Sequence, residues 1–230
     1  SSDPQWPVTA VVPAHSSLTL GHSAVATRFQ YSYHFGHLGA VQDERTAYRL
    51  PFEDGLGFEV SQAYGGRLTT HDSAATQYAV DFAMPSGSAV VAARGGIVID
   101  VTMRYTSGAT DPRLIDRANT VGIAHDDGSV AEYAHLSPGP ALVAAGERVN
   151  AGDLLGYSGS TGYSSEPHLH FIVTRPEVRD GRVMRVSLPV RFYADDAAVR
   201  FSLQMGTTVR ANYGSGKRYA ASRTAYAPSP

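Results

Sequence analysis

The feature that most limits what this chain can fold into is the way its apolar residues are parcelled. They come in short runs, "GSAVVAA" from Gly87, "GGIVIDV" from Gly95, "TVGIAH" from Thr120 and "ALVAAG" from Ala141, flanked by Gly, Pro, Asn or Asp. Runs of this length between turn-forming residues read as short β-strands. No stretch keeps a helical period. The most helix-like segment, "RLIDRA" from Arg113, lies in a polar excursion between strands expected around Val98 and Val121, which predicts at most a short loop helix. The expected class is mainly β, with antiparallel sheets and few or no long helices.

The chain has 230 residues, 43% of them hydrophobic, enough for a substantial core. A formal net charge of -2 and a charged fraction of 17% give no electrostatic footprint for nucleic acid. No apolar run approaches the length of a membrane-spanning helix. Cysteine is absent, so disulfides and thiolate ligands are both excluded, and any metal must be held by His, Asp or Glu. The first residues, "SSDPQW", lack the basic and apolar regions of a signal peptide, as expected if one had been removed or had never existed.

Three sections are expected. Residues 1–50 read as a small β-rich N-terminal extension, in which the alternation of Phe29, Tyr31, Tyr33 and Phe35 predicts one face of a strand. Residues 51–204 carry the dense motifs and end in a hairpin around Asp180-Gly181. Residues 205–230 contain Arg210, Lys217, Arg218 and Arg223 and no acidic residue, and read as a mobile, solvated basic tail. Within the middle section, Gly87, Val90 and Ala92 are echoed by Gly146, Val149 and Ala151, a spacing that would suit two similar β-layers folded against each other.

The stretch "PHLHF" at 167–171 sets two of nine histidines one residue apart. In a strand, His168 and His170 project to the same face, roughly 6.5 to 7 Å apart. They are then either a hydrogen-bonded pair on a half-buried strand or partners in a shared task such as metal ligation. A catalytic zinc needs three protein ligands and an open position. Upstream, "THDSAATQYAVDFAMPSG" supplies His71 and then Asp81, whose carboxylate between apolar neighbours would be costly unless it met a cation. His135 closes another apolar run, "AEYAHLSPG", where a side chain can reach a cleft built on a rigid sheet.

From about Tyr64 to Val173, the blocks "H…YAVDFAMPSGSAVVAARGGIV", "VGIAHDDGSVAEYAHL", "GERVNAGDLLGYSGSTG" and "PHLHF", in this order, resemble the lysostaphin-type, or LytM-like, zinc metallopeptidases that cut peptides of bacterial peptidoglycan. The resemblance implies a barrel-sandwich hybrid-like core, zinc ligands His71, Asp81 and His170, and catalytic histidines His135 and His168 beside the metal. It also implies an oxyanion-assisting tyrosine, to which Tyr64 would correspond. The partner implied is the peptide moiety of peptidoglycan, the setting the periplasm or the cell exterior, and the expected state a monomer.

This sequence departs from the family pattern in three places. Nine residues separate His71 from Asp81, more than the family's usual spacing, Glu166 stands where a glycine often precedes the "PHLH" proline, and Ile172 replaces a frequent acidic residue. Two rival readings go with the resemblance. A non-catalytic relative that binds peptidoglycan or activates an amidase should have lost ligands, whereas all five expected positions keep theirs. A lipoyl or biotinyl carrier needs an exposed lysine, and Lys217 is the only lysine in the chain.

The remaining histidines carry less. His34 and His37 in "HFGH" lack a nearby acidic partner, His125 starts a hairpin and has a structural default role, and His15 and His22 carry no functional signal. Gly159 and Gly162 read as tight turns beside the cleft, since no Gly-Lys-Ser/Thr follows.

Overall fold

The computed structural model describes residues 9–13, 16–20, 28, 30–43, 45–64 and 69–214. Its strands are β1 (Tyr48–Arg49), β2 (Gly57–Gln62), β3 (Val80–Phe82), β4 (Ala89–Val91), β5 (Gly96–Thr102), β6 (Gly108–Ala109), β7 (Thr120–Ala124) and β8 (Val130–Ala134). There follow β9 (Arg148–Val149), β10 (Leu154–Tyr157), β11 (Gly162–Tyr163), β12 (Leu169–Arg179), β13 (Arg182–Ser187), β14 (Phe192–Tyr193) and β15 (Thr208–Arg210). Among the described residues the only helix is a 3-10 turn at Pro112–Leu114, capped by the Asp111 side chain, in the excursion where a short loop helix was expected. No helix among the described residues is long and apolar enough to cross a membrane.

The main sheet runs β15-β2-β3-β12-β8-β7-β5-β9, with β13 added to the outer half of β12. Its pairings are antiparallel and its path is open, so there is no closed barrel. Strand alternation gives it two unlike faces. Leu169, Phe171 and Val173 on β12, and Ala131 and Tyr133 on β8, point into the core and are fully buried. His170 on β12 and Glu132 and Ala134 on β8 lie on the other face, where the functional groups gather. Phe171 sits among the rings of Tyr133, Phe192 and Tyr48, at centroid distances of 5.2, 5.7 and 6.0 Å.

The internal echo has a structural meaning. β4 pairs with β10 and β5 pairs with β9, so the two strand-turn-strand units exchange partners. Gly87 and Gly146 open the units with φ of 85° and 91°, a region that glycine enters without strain. The Asp180-Gly181 hairpin is present, with positive φ at both turn residues, as a two-residue turn of the twist-matching kind requires.

Three expectations are corrected. The run at 141–146 forms no strand: Val143 is buried, Leu142 is exposed, and the segment bends into the Gly146 turn. The described residues ahead of Tyr48 contain no strand either. Tyr31 and Tyr33 are 84% and 70% exposed, because no neighbouring strand lends that alternation a ladder or a face to cover; Phe29 lies outside the described residues. The segment after Met205 is no free tail as far as residue 214. β15 pairs with β2, Arg210 donates to the Gly55 carbonyl at 2.7 Å, Ala211 is fully buried, and the Tyr213 hydroxyl donates to the Tyr193 carbonyl. Lys217, Arg218 and Arg223 lie outside the described residues.

The core also holds a polar tie. The Tyr133 hydroxyl, fully buried, accepts the backbone N–H of Ala93 at 2.7 Å. Tyr133→Phe strands that N–H without a partner, and urea unfolding should show a loss of about 1–3 kcal/mol with an unchanged m-value.

Candidate metal centre

Asp81 is the middle residue of β3, and antiparallel pairing puts it directly opposite His170 on β12. Val80 and Phe82 turn into the core, so the Asp81 carboxylate goes to the other face, yet it remains only 2% exposed. A carboxylate this buried needs partners for its charge. Oδ1 accepts from His170 Nδ1 at 2.9 Å, and Oδ2 lies 3.3 Å from His71 Nε2. His71 arrives from the loop between β2 and β3, and its ring meets that of His170 edge-on at 5.0 Å. One donor atom from each of His71, Asp81 and His170 lies within 4.8 Å of the others.

The electrostatics follow from this packing. Burial pushes the Asp81 carboxyl up, but hydrogen bonds from His170 and His71 outweigh it and hold the group well below the usual carboxylate range. Burial likewise disfavours a charged His170, and the bond to Asp81 overcomes it, leaving that imidazole above its ordinary value.

Two further histidines border the group. His135 follows β8 with φ of 61°, a left-handed conformation uncommon for a residue with a side chain, and its Nδ1 donates to the Thr161 carbonyl at 2.7 Å. Its ring lies 4.5 Å from that of His168 and 5.9 Å from that of His170. Burial, followed by the nearby charges of His168 and His170, lowers its pKa to about 4. His168 Nδ1 donates to the Glu166 carbonyl at 2.9 Å, with Ser164 Oγ at 3.3 Å. Because a carbonyl only accepts, both rings carry their neutral-form proton on Nδ1 and keep the Nε2 lone pair free.

The remaining expected positions fall outside this group. The Tyr64 hydroxyl donates to the Val190 carbonyl at 2.9 Å, and its ring packs on Tyr78. His125 Nδ1 bonds to the Gly95 carbonyl, and its ring packs on Tyr48. His37 accepts the Gly39 N–H, and His34 lies in an exposed segment; His15 and His22 are outside the described residues. Gly162 has φ of 84°, and Gly159 is bridged to His168. Glu166, exposed, acts here through its carbonyl on His168, while Ile172 is fully buried.

The residues missed in sequence are Asn119 and Thr161. Asn119 is fully buried; its backbone N–H donates to Thr161 Oγ1, its side chain donates to the Tyr105 and Leu136 carbonyls, and Thr161 Oγ1 also donates to the Leu136 carbonyl. This network fixes the carbonyl that orients His135. Neither residue has a sequence signal, since Asn and Thr between short strands read as turn residues.

Fold and site together define a mainly antiparallel β protein with a buried two-histidine, one-carboxylate donor set able to hold a metal ion. Residues 75–183, just under half of the chain, match the sequence model described as peptidase family M23, and lysostaphin is among the proteins similar to it. The match includes Asp81, His135, His168 and His170; His71 lies ahead of it and joins the group by geometry.

Glycyl-glycine endopeptidase ALE-1 of Staphylococcus capitis is 39% identical over 95 residues, 41% of this chain and 23% of that protein. Peptidoglycan DD-endopeptidase ShyA of Vibrio cholerae is 32% identical over 111 residues, 48% of this chain and 23% of that protein. The chain thus spans about a quarter of the length of these curated relatives. The solved structure of the antimicrobial peptidase lysostaphin from Staphylococcus simulans overlays 55% of this chain and 46% of its own at 28% identity, with a TM-score of 0.39, too loose a superposition to carry an argument.

A pH effect on stability follows from His125, which lies away from the donor set. Burial lowers it from 6.5 to about 4, and its Nε2 is buried without a hydrogen-bond partner among the described residues. Between these values the unfolded chain binds the proton and the folded chain does not, so acidification from pH 6.5 to 4 costs stability. Urea melts at the two pH values should show that His125→Gln removes on the order of 3 kcal/mol of that loss.

Proposed function

We propose that the chain is a zinc-dependent endopeptidase of the bacterial cell envelope that cleaves peptide cross-links or stem peptides of peptidoglycan. The observation that carries this reading is the donor set itself, one nitrogen from each of two histidines and an oxygen of a buried carboxylate converging within 4.8 Å in a chain without thiolates. Two imidazoles and a carboxylate are a set that catalytic zinc takes, with a further position left for water or substrate. Asp81, 2% exposed, is the kind of carboxylate that a bound cation accounts for. His71, Asp81 and His170 would hold the ion. Zinc supplies, when bound, a Lewis acid that polarises a scissile carbonyl and makes a water more acidic.

The protein's own contribution lies in His135 and His168. Each ring donates its Nδ1–H to a carbonyl, so each in its neutral form carries a lone pair on Nε2, and the His135 ring lies 5.9 Å from that of the donor His170. Burial keeps His135 neutral at physiological pH. The pair can accept a proton from the attacking water at Nε2, hydrogen-bond to charge developing on the carbonyl oxygen once protonated, and return the proton to the leaving amine. Tyr64 is assigned no step, because its hydroxyl is committed to Val190.

The substrate class is supported by the relatives, one a glycyl-glycine endopeptidase and another a peptidoglycan DD-endopeptidase. We take residues 51–204 as the catalytic unit, acting as a monomer.

Zinc content and peptide release from peptidoglycan, with and without chelator, test the reading together. About one zinc per chain and chelator-sensitive release of new peptide ends are expected. His170→Ala should lose metal and activity together, whereas His168→Ala should keep most of the metal and lose roughly 10²–10⁴ in rate. Equal metal loss in both variants refutes the division of roles. No zinc after reconstitution refutes the reading, and zinc without cleavage of any peptidoglycan would leave a binding protein in its place.

A further inference from the structure

We propose that Ser187 and Gln62 are positioning residues for His71, fixing it through the segments on either side of it in the chain; the inference rests on the reading of His71 as a metal ligand. Asp81 and His170 are set by strand pairing. His71 sits in a loop, and the nine residues between it and Asp81 need a reason to hold still.

Part of that reason is local. Thr76 and Gln77 both donate backbone N–H groups to the Ser73 carbonyl, at 3.0 and 2.8 Å, and the Ser73 and Thr76 hydroxyls bond at 2.8 Å. These bonds shape the loop but do not tie it to the sheet.

Ser187 ties it. This last residue of β13 is 4% exposed, and its backbone N–H donates to the Ala74 carbonyl at 2.8 Å. Its hydroxyl donates to the same carbonyl at 3.0 Å and accepts the Tyr78 N–H at 3.3 Å. One side chain thus grips the loop at two places, more than 100 residues away in sequence.

On the other side of His71 the anchor is Gln62, the last residue of β2 and the register partner of Asp81. Its Oε1 accepts from Thr70 N at 2.8 Å, Thr70 Oγ1 at 3.1 Å and Thr69 Oγ1 at 3.4 Å, and Thr69 Oγ1 accepts the His71 N–H at 3.1 Å.

The ring of His71 has no such support. Its Nδ1 is buried with no hydrogen-bond partner among the described residues. A metal-ligating histidine is ordinarily oriented by a bond on its second nitrogen, and loss of that bond typically weakens metal binding 10- to 100-fold. Here the orienting contacts are on the backbone, and their anchors are Ser187 and Gln62.

The test uses the full chain and its Ser187→Ala, Ser187→Thr and Gln62→Leu variants. Zinc affinity is measured by competition with a chromophoric chelator, beside the melting of each metal-free chain and the visible spectrum of each cobalt-loaded chain. Ser187→Ala and Gln62→Leu should each weaken zinc on the order of tenfold and shift the cobalt spectrum, beyond what the change in metal-free melting accounts for. Ser187→Thr restores the hydroxyl and should restore affinity. Unchanged affinity in both variants, or weakening that follows metal-free melting with an unaltered cobalt spectrum, overturns the proposal. If Ser187→Ala does not fold, Gln62→Leu decides by the same criteria. Zinc held equally by every variant removes the positioning role and leaves the metal reading standing; an unaltered chain that takes up no zinc removes both.

Discussion

The constraint on which the rest of this structure depends is the Asp81 carboxylate, placed in the middle of a short strand and almost wholly removed from water. Its neighbours Val80 and Phe82 are committed to the core, so the chain cannot turn the carboxylate outward without exposing them. The charge must be met where it stands. β12 brings His170 opposite it, and the loop before β3 brings His71 to its other oxygen. Site and sheet are one arrangement seen from its two faces.

Around that centre, polar groups are organised by backbone carbonyls more than by side-chain pairs. Thr161 and Glu166 each offer a carbonyl to a histidine and thereby select its tautomer. The strained backbone at His135 fits the same pattern: a left-handed turn at the end of β8 directs the ring toward the donor set, and the buried Asn119-Thr161 network surrounds the turn.

Much of this could be read from residues alone. The β class, the loop helix near Arg113 and the Asp180-Gly181 hairpin are encoded in short-range patterns; strand periodicity put His168 and His170 on one expected face, and the rings of both neighbour that of His135. The set His71, Asp81 and His170 came from resemblance, and the fold brings one donor atom of each within 4.8 Å of the others. What failed was whatever depends on a distant partner. Among the described residues the alternating aromatics from Tyr31 lack a neighbouring strand, and the basic, acid-free composition after Met205 concealed that β2 offers Val209 an edge. Asn119, Thr161 and Ser187 were invisible for the same reason: their importance lies in carbonyls and amides that only the folded chain brings within reach.

The donor set also has an order of assembly written into it. Asp81 and His170 are 89 positions apart in sequence, and β12, which delivers His170, must pair with both β3 and β8 to do so. A piece of the chain that ends before β12 lacks one of the three donors, and long-range strand pairing is slow compared with local turns. An ion that bound only this finished arrangement would draw the folding equilibrium toward it by mass action.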